Sequence, residues 1–329
     1  RRGVTLYEEL AGLRAVGAGG PVDYGDLAGF TPNQYWYSPG GASLANALYQ
    51  LAYTHRDGND AVGAAGAMVE CVRVHERVFA EVPEHKPVLG KVMVTDLVVL
   101  RSGLPWDVAR FWARRGVTLY EELAGLRAVG AGGPVDYGDL AGFTPNQYWY
   151  SPGGASLANA LYQLAYTHRE SHEFVTGARA MVQCVHVHER ALGGDPEIKP
   201  VLGKVVVSDL VVGFRSGLPQ DEACLWARRG VTLFEELAGL RAPGATDQVD
   251  YGDLAQIVPN QYWSGSGGAD LTNALYQLAH TLKEANDLPA GVIAMHQRVR
   301  LFERLVDVDP SRWSSALHDA RTDAAAFGS

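Results

Sequence analysis

Asn46, Tyr49, Gln50 and Tyr53 stand within one octapeptide, Asn-Ala-Leu-Tyr-Gln-Leu-Ala-Tyr. It recurs unchanged at residues 159–166 and again from Asn273, where it ends in Ala279-His280. These residue types suit recognition rather than bond making. A tyrosine buries a large ring and keeps a hydroxyl for a partner. Asn and Gln amides both donate and accept, so they match the backbone of an extended peptide.

Residues that could do covalent or metal chemistry are poorly placed for it. His186 and His188 point to different helix faces, a poor metal pair, and Arg73 and Arg300 replace His186 in the other copies. His75 and His188 lie in a His-Glu-Arg run where the third copy has Phe302, which predicts packing. Gly17, Gly19 and Gly20 lack the strand, Lys and Ser/Thr of a phosphate loop. No Gly-x-Ser-x-Gly elbow follows a strand. The pairs Glu8-Glu9, Glu121-Glu122 and Glu235-Glu236 read as solvated helix faces. We expect no catalytic residues, no metal and no cofactor.

Composition narrows the partner. The chain has 329 residues, 47% hydrophobic and 20% charged, with a net charge of −9. That suits a globular core and disfavours both nucleic acid, which needs a basic face, and an anionic membrane surface. No apolar run of about 18 residues predicts a membrane span, and no signal peptide is visible. Cys71, Cys184 and Cys224 form no paired framework, and the first two occupy one position in two repeats. Small buried thiols in a reducing, cytoplasmic setting are the expectation. The chain opens on Arg1-Arg2-Gly3, which lies inside a helix in the later copies, so a fragment of a longer protein is expected.

The positioning elements follow from the repeats. Residues 1–56 are identical to 114–169, and a third copy starts at Arg228. The long units run over about 1–113, 114–227 and 228–329, read together as a single repeat domain. Within the first, Leu44, Leu48, Leu51, Ala52 and His55 keep helical spacing. Residues 56–60 break that helix and cap the next, which carries Ala64, Ala67, Met68, Cys71, Val74 and Val78 on one face and ends near Pro83. A Val-rich stretch, 88–100, permits a strand by propensity. Lys91 and Asp96 break strict alternation, and Ser102-Gly103-Leu104-Pro105 supplies a helix stop and start, so a helix is expected. Residues 106–126 are amphipathic. One extra residue in the second unit falls near Gly213-Phe214. Residues 15–41 are rich in Gly, Pro and aromatics and read as a structured loop with one short helix around 23–28. The motif Asn33-Gln34-Tyr35-Trp36, repeated at 146–149 and 260–263, is either an aromatic lip or a hydrophobic plug. The ring surfaces favour the plug. Residues 310–329 look like the first helix of a further hairpin.

This grammar resembles the tetratricopeptide repeat family, in its long-repeat, kinesin-light-chain-like bacterial form. Leu48-Tyr49-Gln50-Leu51-Ala52, its copies at 161–165 and 275–279, and the small residues Ala64, Cys71, Gly177 and Cys184 carry the resemblance. Residues 117–124 and 231–238 resemble its helix ends. The likeness covers about three quarters of the chain. Arg298 departs from it at the Cys71 and Cys184 position, as do Asp96 and Asp209 near a usually apolar one. The resemblance implies an all-α, right-handed α-solenoid of antiparallel helix hairpins, here with Gly/Pro/aromatic inserts between hairpin pairs. It places Asn46, Tyr49, Gln50, Tyr53 and Arg56 on a concave groove. The corresponding sets are Asn159, Tyr162, Gln163, Tyr166 and Arg169, then Asn273, Tyr276, Gln277, His280 and Lys283. The plainer alternative is that the amides bond neighbouring loops and Tyr49 is core.

The expected function is protein or peptide binding by shape and charge complementarity, without catalysis, and with self-association open. A purely structural spacer or self-assembling array is one rival expectation, and two others stand beside it. One is a sensor or regulatory arm of a larger signalling or defence protein. The other is a small-molecule binder or enzyme whose pocket the aromatic inserts close.

Overall fold

A computed structural model describes residues 1–266 and 268–328, and among them every regular element is helical. The chain divides into two compact units, Arg1–His172 and Glu173–Ser329, each described by itself.

In the first unit, α1 spans Arg2–Leu10, α2 Leu44–Asp57 and α3 Ala61–Glu81. Ser43 caps α2, its Oγ accepting from Asn46 N at 3.3 Å. Leu44, Ala45, Leu48 and Ala52 make the buried stripe of α2. Asp60 caps α3 by accepting from Gly63 N at 2.8 Å. Small residues on α3 let the hairpin close tightly, and buried Cys71 donates to the Ala45 carbonyl at 3.3 Å. Burial raises the Cys71 thiol pKa far above its usual value, so the residue acts as a small packing group.

The Val-rich stretch is helical, as the broken alternation predicts, but not uniformly wound. α4 covers Lys86–Lys91, a π-helical turn covers Val92–Leu97, and a 3-10 segment covers Val98–Gly103. β-branched side chains crowd a regular α-helix, and the Thr95 hydroxyl donates back to Lys91 O at 2.6 Å. Val92, Met93, Val94 and Leu97 nevertheless bury here. The winding stops at Gly103, where a Cβ would sit 2.0 Å from the Ala61 carbonyl oxygen, so only glycine fits that crossing. α5 then runs Trp106–Leu123, and α6 spans Leu157–Glu170.

The segment between α5 and α6 is irregular but firmly held. Gly125 ends α5 with φ +77°, a backbone region open to glycine. Trp149 is fully buried, and its Nε1–H donates to Ala124 O at 3.2 Å. The carbonyls of Tyr148 and Trp149 then accept from Leu157 N and Ala158 N, capping the first turn of α6. Trp36 and Trp263 are equally buried. The motif is therefore a hydrophobic plug that also caps the following helix.

Two expectations are corrected here. The short helix around 23–28 is absent, because the Asp23 carboxylate accepts from Gly25 N at 2.8 Å and folds the segment into turns. The acidic pairs are not solvated. Glu8, Glu121 and Glu235 are each 4% exposed. Glu121 accepts from Arg127 Nε at 2.7 Å and from the Tyr137 hydroxyl at 2.8 Å. Glu122 accepts from Gly130 N at 3.0 Å and pairs with Lys86. The helix end thus reaches into the insert and holds it.

The second unit has α7 (Phe174–Leu192), α8 (Lys199–Lys204), a π-helical Val205–Val211, α9 (Val212–Phe214) and α10 (Gln220–Leu237). α11 (Leu271–Glu284), α12 (Leu288–Val308) and α13 (Pro310–Phe327) follow. The π-helical segment is one residue longer here than in the first copy, and Phe214 is fully buried. His186 lies 3.7 Å from Glu189, while His188 bonds the Cys184 carbonyl at 2.9 Å, so the two imidazoles serve separate packing contacts. Among the described residues, no helix is long and apolar enough to cross a membrane.

Candidate functional site

Tyr49 and Tyr53 lie one turn apart on α2, their rings 4.7 Å apart at 36°. Both hydroxyls donate to one atom, Oδ1 of Asp96, at 3.1 and 2.8 Å. Asp96 sits in the π-helical turn, so the irregular winding presents the acceptor that the two phenols share. Burial, followed by contact with Tyr53 and Asp96, pushes the Tyr49 pKa far up; burial also raises that of Tyr53. Both phenols therefore stay protonated donors at neutral pH. This clasp ties the first helix of one hairpin to the next segment.

The remaining members of the first set face outward. Asn46, Gln50 and Arg56 are exposed. The Arg56 guanidinium lies 4.1 Å from the Tyr53 ring centre and 3.2 Å from the Asp57 carboxylate. One helix thus separates the expected site into a buried-facing tyrosine pair and an open amide-and-guanidinium strip.

The second set is half-buried throughout. Tyr162 and Tyr166 repeat the ring pair at 4.7 Å and 36°. Arg101, within the 3-10 segment, donates to Gln163 Oε1 at 2.9 Å and pairs with Glu170 at 2.5 Å. Gln163 donates onward to Asn159 Oδ1 at 3.5 Å, and Arg169 lies 5.5 Å from the Tyr166 ring. On this helix the amides do bond a neighbouring turn.

The third set varies the clasp. Tyr276 and His280 rings are 4.3 Å apart. Arg298 replaces the cysteine of the other copies, lies 4.7 Å from the Tyr276 ring, and pairs with Asp323 at 2.8 Å. Burial, then the Arg215 charge, lowers the His280 pKa, which favours the neutral imidazole. Gln277 accepts from Arg215 at 3.4 Å and donates to Asn273 at 3.4 Å, and Asn273 bonds the Gly268 carbonyl. Lys283 is exposed and reaches the Phe327 carbonyl at 3.2 Å.

Sequence reasoning missed Asp96 as a partner of the tyrosines, though a charge recurring at an otherwise apolar register was the available signal. Asp96→Ala removes a charged acceptor from two phenols and is expected to lower stability by about 2 kcal/mol. Urea unfolding measures this, and a loss below about 0.5 kcal/mol would mean that solvent replaces the clasp without cost.

Comparison with family models and with curated proteins matches this chain to none of them.

Proposed function

We propose that this chain is a helical repeat scaffold that binds a protein or peptide. More narrowly, we read it as a tetratricopeptide-like right-handed solenoid whose first helices line the binding surface. The observation that carries this reading is the outward strip of α2. There Asn46, Gln50 and Arg56 are exposed beside the clasped tyrosines, and the same residue types recur in register on α6 and α11, half-buried and bonded to neighbouring turns. Amides on a fixed helix offer paired donors and acceptors to an extended backbone at little ordering cost. The tyrosine clasp shapes and stiffens the surface, and the net charge of −9 favours a neutral or basic partner.

The test replaces the exposed Asn46 and Gln50 together by Ala. Affinity capture with mass spectrometry is read beside a thermal melt. At least a ten-fold drop in captured partner, with the melt within a few degrees, is expected. Unchanged capture with a lower melting temperature would assign these amides to packing and sink the proposal.

A further inference from the structure

The third copy of the repeat replaces an aromatic cluster found in the first. In the first unit the Tyr37 ring centre lies 3.9 Å from that of His85 and 5.2 Å from that of His75. The two imidazoles meet at 2.6 Å between His75 Nδ1 and His85 Nε2. Burial lowers the pKa of His75 to about 3 and shifts that of His85 in the same direction. The first copy is thus closed by a neutral aromatic cluster.

The matching positions of the third copy are Ser264, Phe302 and Arg312, and Trp313 stands where Lys86 does. A hydroxymethyl replaces a phenol, and a permanent cation replaces a neutral histidine. The second unit contains a cavity of about 710 Å³ beside these positions. Ser264, Arg312, Trp313, Lys204, Tyr262 and Phe234 are among its walls. That volume lies within the range of about 300–1,000 Å³ common for small-molecule sites.

The charges of the cavity are unevenly committed. Asp309 accepts from Arg312 N at 3.2 Å and from the Ser311 hydroxyl at 2.7 Å. Asp270 accepts from Gly265 N at 2.6 Å, the Thr272 hydroxyl at 2.8 Å and Asn273 N at 3.0 Å. Both acids are therefore occupied in capping. Lys204 forms no ion pair with any described residue, and Arg312 makes none directly, though its charge helps to lower the Asp309 pKa. Arg312 rests 4.3 Å from the Trp313 ring centre instead, and Phe302 lies 6.5 Å from that ring. Lys204 and Arg312 thus bring two cations to the walls of one aromatic-lined cavity, beside the capped Asp270 and Asp309.

We propose that this cavity binds a small organic anion built on a planar ring. Trp313 and Tyr262 take the ring, while Arg312 and Lys204 take its phosphate or carboxylate. This goes beyond the peptide-binding reading and uses different residues. It commits the chain to a ligand whose charge and ring are both needed.

Isothermal titration of the full chain tests it with adenosine 5′-monophosphate, flavin mononucleotide and indole-3-acetate. Adenosine and inorganic phosphate are the half-ligand controls. At least one of the three ring anions is expected to bind at least ten-fold more tightly than either control. Phosphate-bearing and carboxylate-bearing probes separate the two anion sources. Lys204→Ala with Arg312→Ala is expected to weaken binding at least ten-fold, and Lys204→Arg to retain it. Ser264→Tyr restores the residue of the first copy, and is expected to abolish binding while leaving the melting temperature and the partner capture of the preceding section unchanged. Failure of all three ring anions to bind, equal binding of inorganic phosphate, or undiminished binding in Ser264→Tyr would each overturn the proposal.

Discussion

Glu121→Ala is expected to destabilise the first unit by about 3–5 kcal/mol, the usual cost of stripping one partner from a buried charged network. Glu121 and Arg127 side chains are 6% and 12% exposed, and their closest N–O distance is 2.6 Å. Arg127 also donates to Ala131 O at 2.9 Å and Gly133 O at 2.6 Å, and Tyr137 donates to the second Glu121 oxygen. Removing the carboxylate leaves a buried guanidinium and a phenol without their acceptor. It also releases the contacts that fold residues 124–133 back onto α5. Glu121→Leu with Arg127→Leu removes both charges and is expected to recover a good part of the loss. Urea unfolding measures each variant, and hydrogen exchange reports whether residues 124–156 open first. A loss under about 1 kcal/mol for Glu121→Ala would show that the network does not hold the insert.

Trp149→Ala is expected to cost about 3–5 kcal/mol, the range for emptying a large aromatic site in a packed core. The residue is 0% exposed and is tied to the end of α5 by its indole N–H. Its own carbonyl accepts from Ala158 N at 3.1 Å and that of Tyr148 from Leu157 N at 2.8 Å. A relaxed insert therefore also uncaps α6, two residues before Asn159. Fast exchange of the Leu157 and Ala158 amides is expected in Trp149→Ala. Trp149→Phe keeps most of the ring and loses one hydrogen bond, so it is expected to cost about 1–2 kcal/mol. Equal losses for Phe and Ala would show that the hydrogen bond, and not the ring volume, secures the plug.

These variants bear on how the surface is built. The exposed amides of α2 sit on a helix whose first turn is capped by the Tyr35 and Trp36 carbonyls of the buried tryptophan motif. The adjoining helix faces are fixed by tyrosines sharing an aspartate. Presentation of the strip is a tertiary property even where each helix is local.

The helices themselves were legible from residue type and spacing. Leu44, Leu48 and Ala52 repeat at helical intervals, Ser43 and Asp60 supply caps, and the apolar run of α3 fixes its buried face, because these signals act within a few residues. The glycines and prolines of residues 15–41 likewise announced a loop, and its aromatics an ordered one. The tertiary structure alone decided what covers each face. Tyr49 and Tyr53 bond Asp96, 47 and 43 residues along the chain. Glu121 gained Tyr137 and Arg127 from the insert and so became buried, where a glutamate pair near a helix end reads locally as solvated. Arg101 finds Gln163 from 62 residues away. The π-helical turn that aims Asp96 comes from crowded valines settling against neighbouring helices, a compromise that no local window contains. Spacing determines which residues share a face because helix geometry is local. Whether that face binds, packs or clasps depends on partners brought together only when the chain folds.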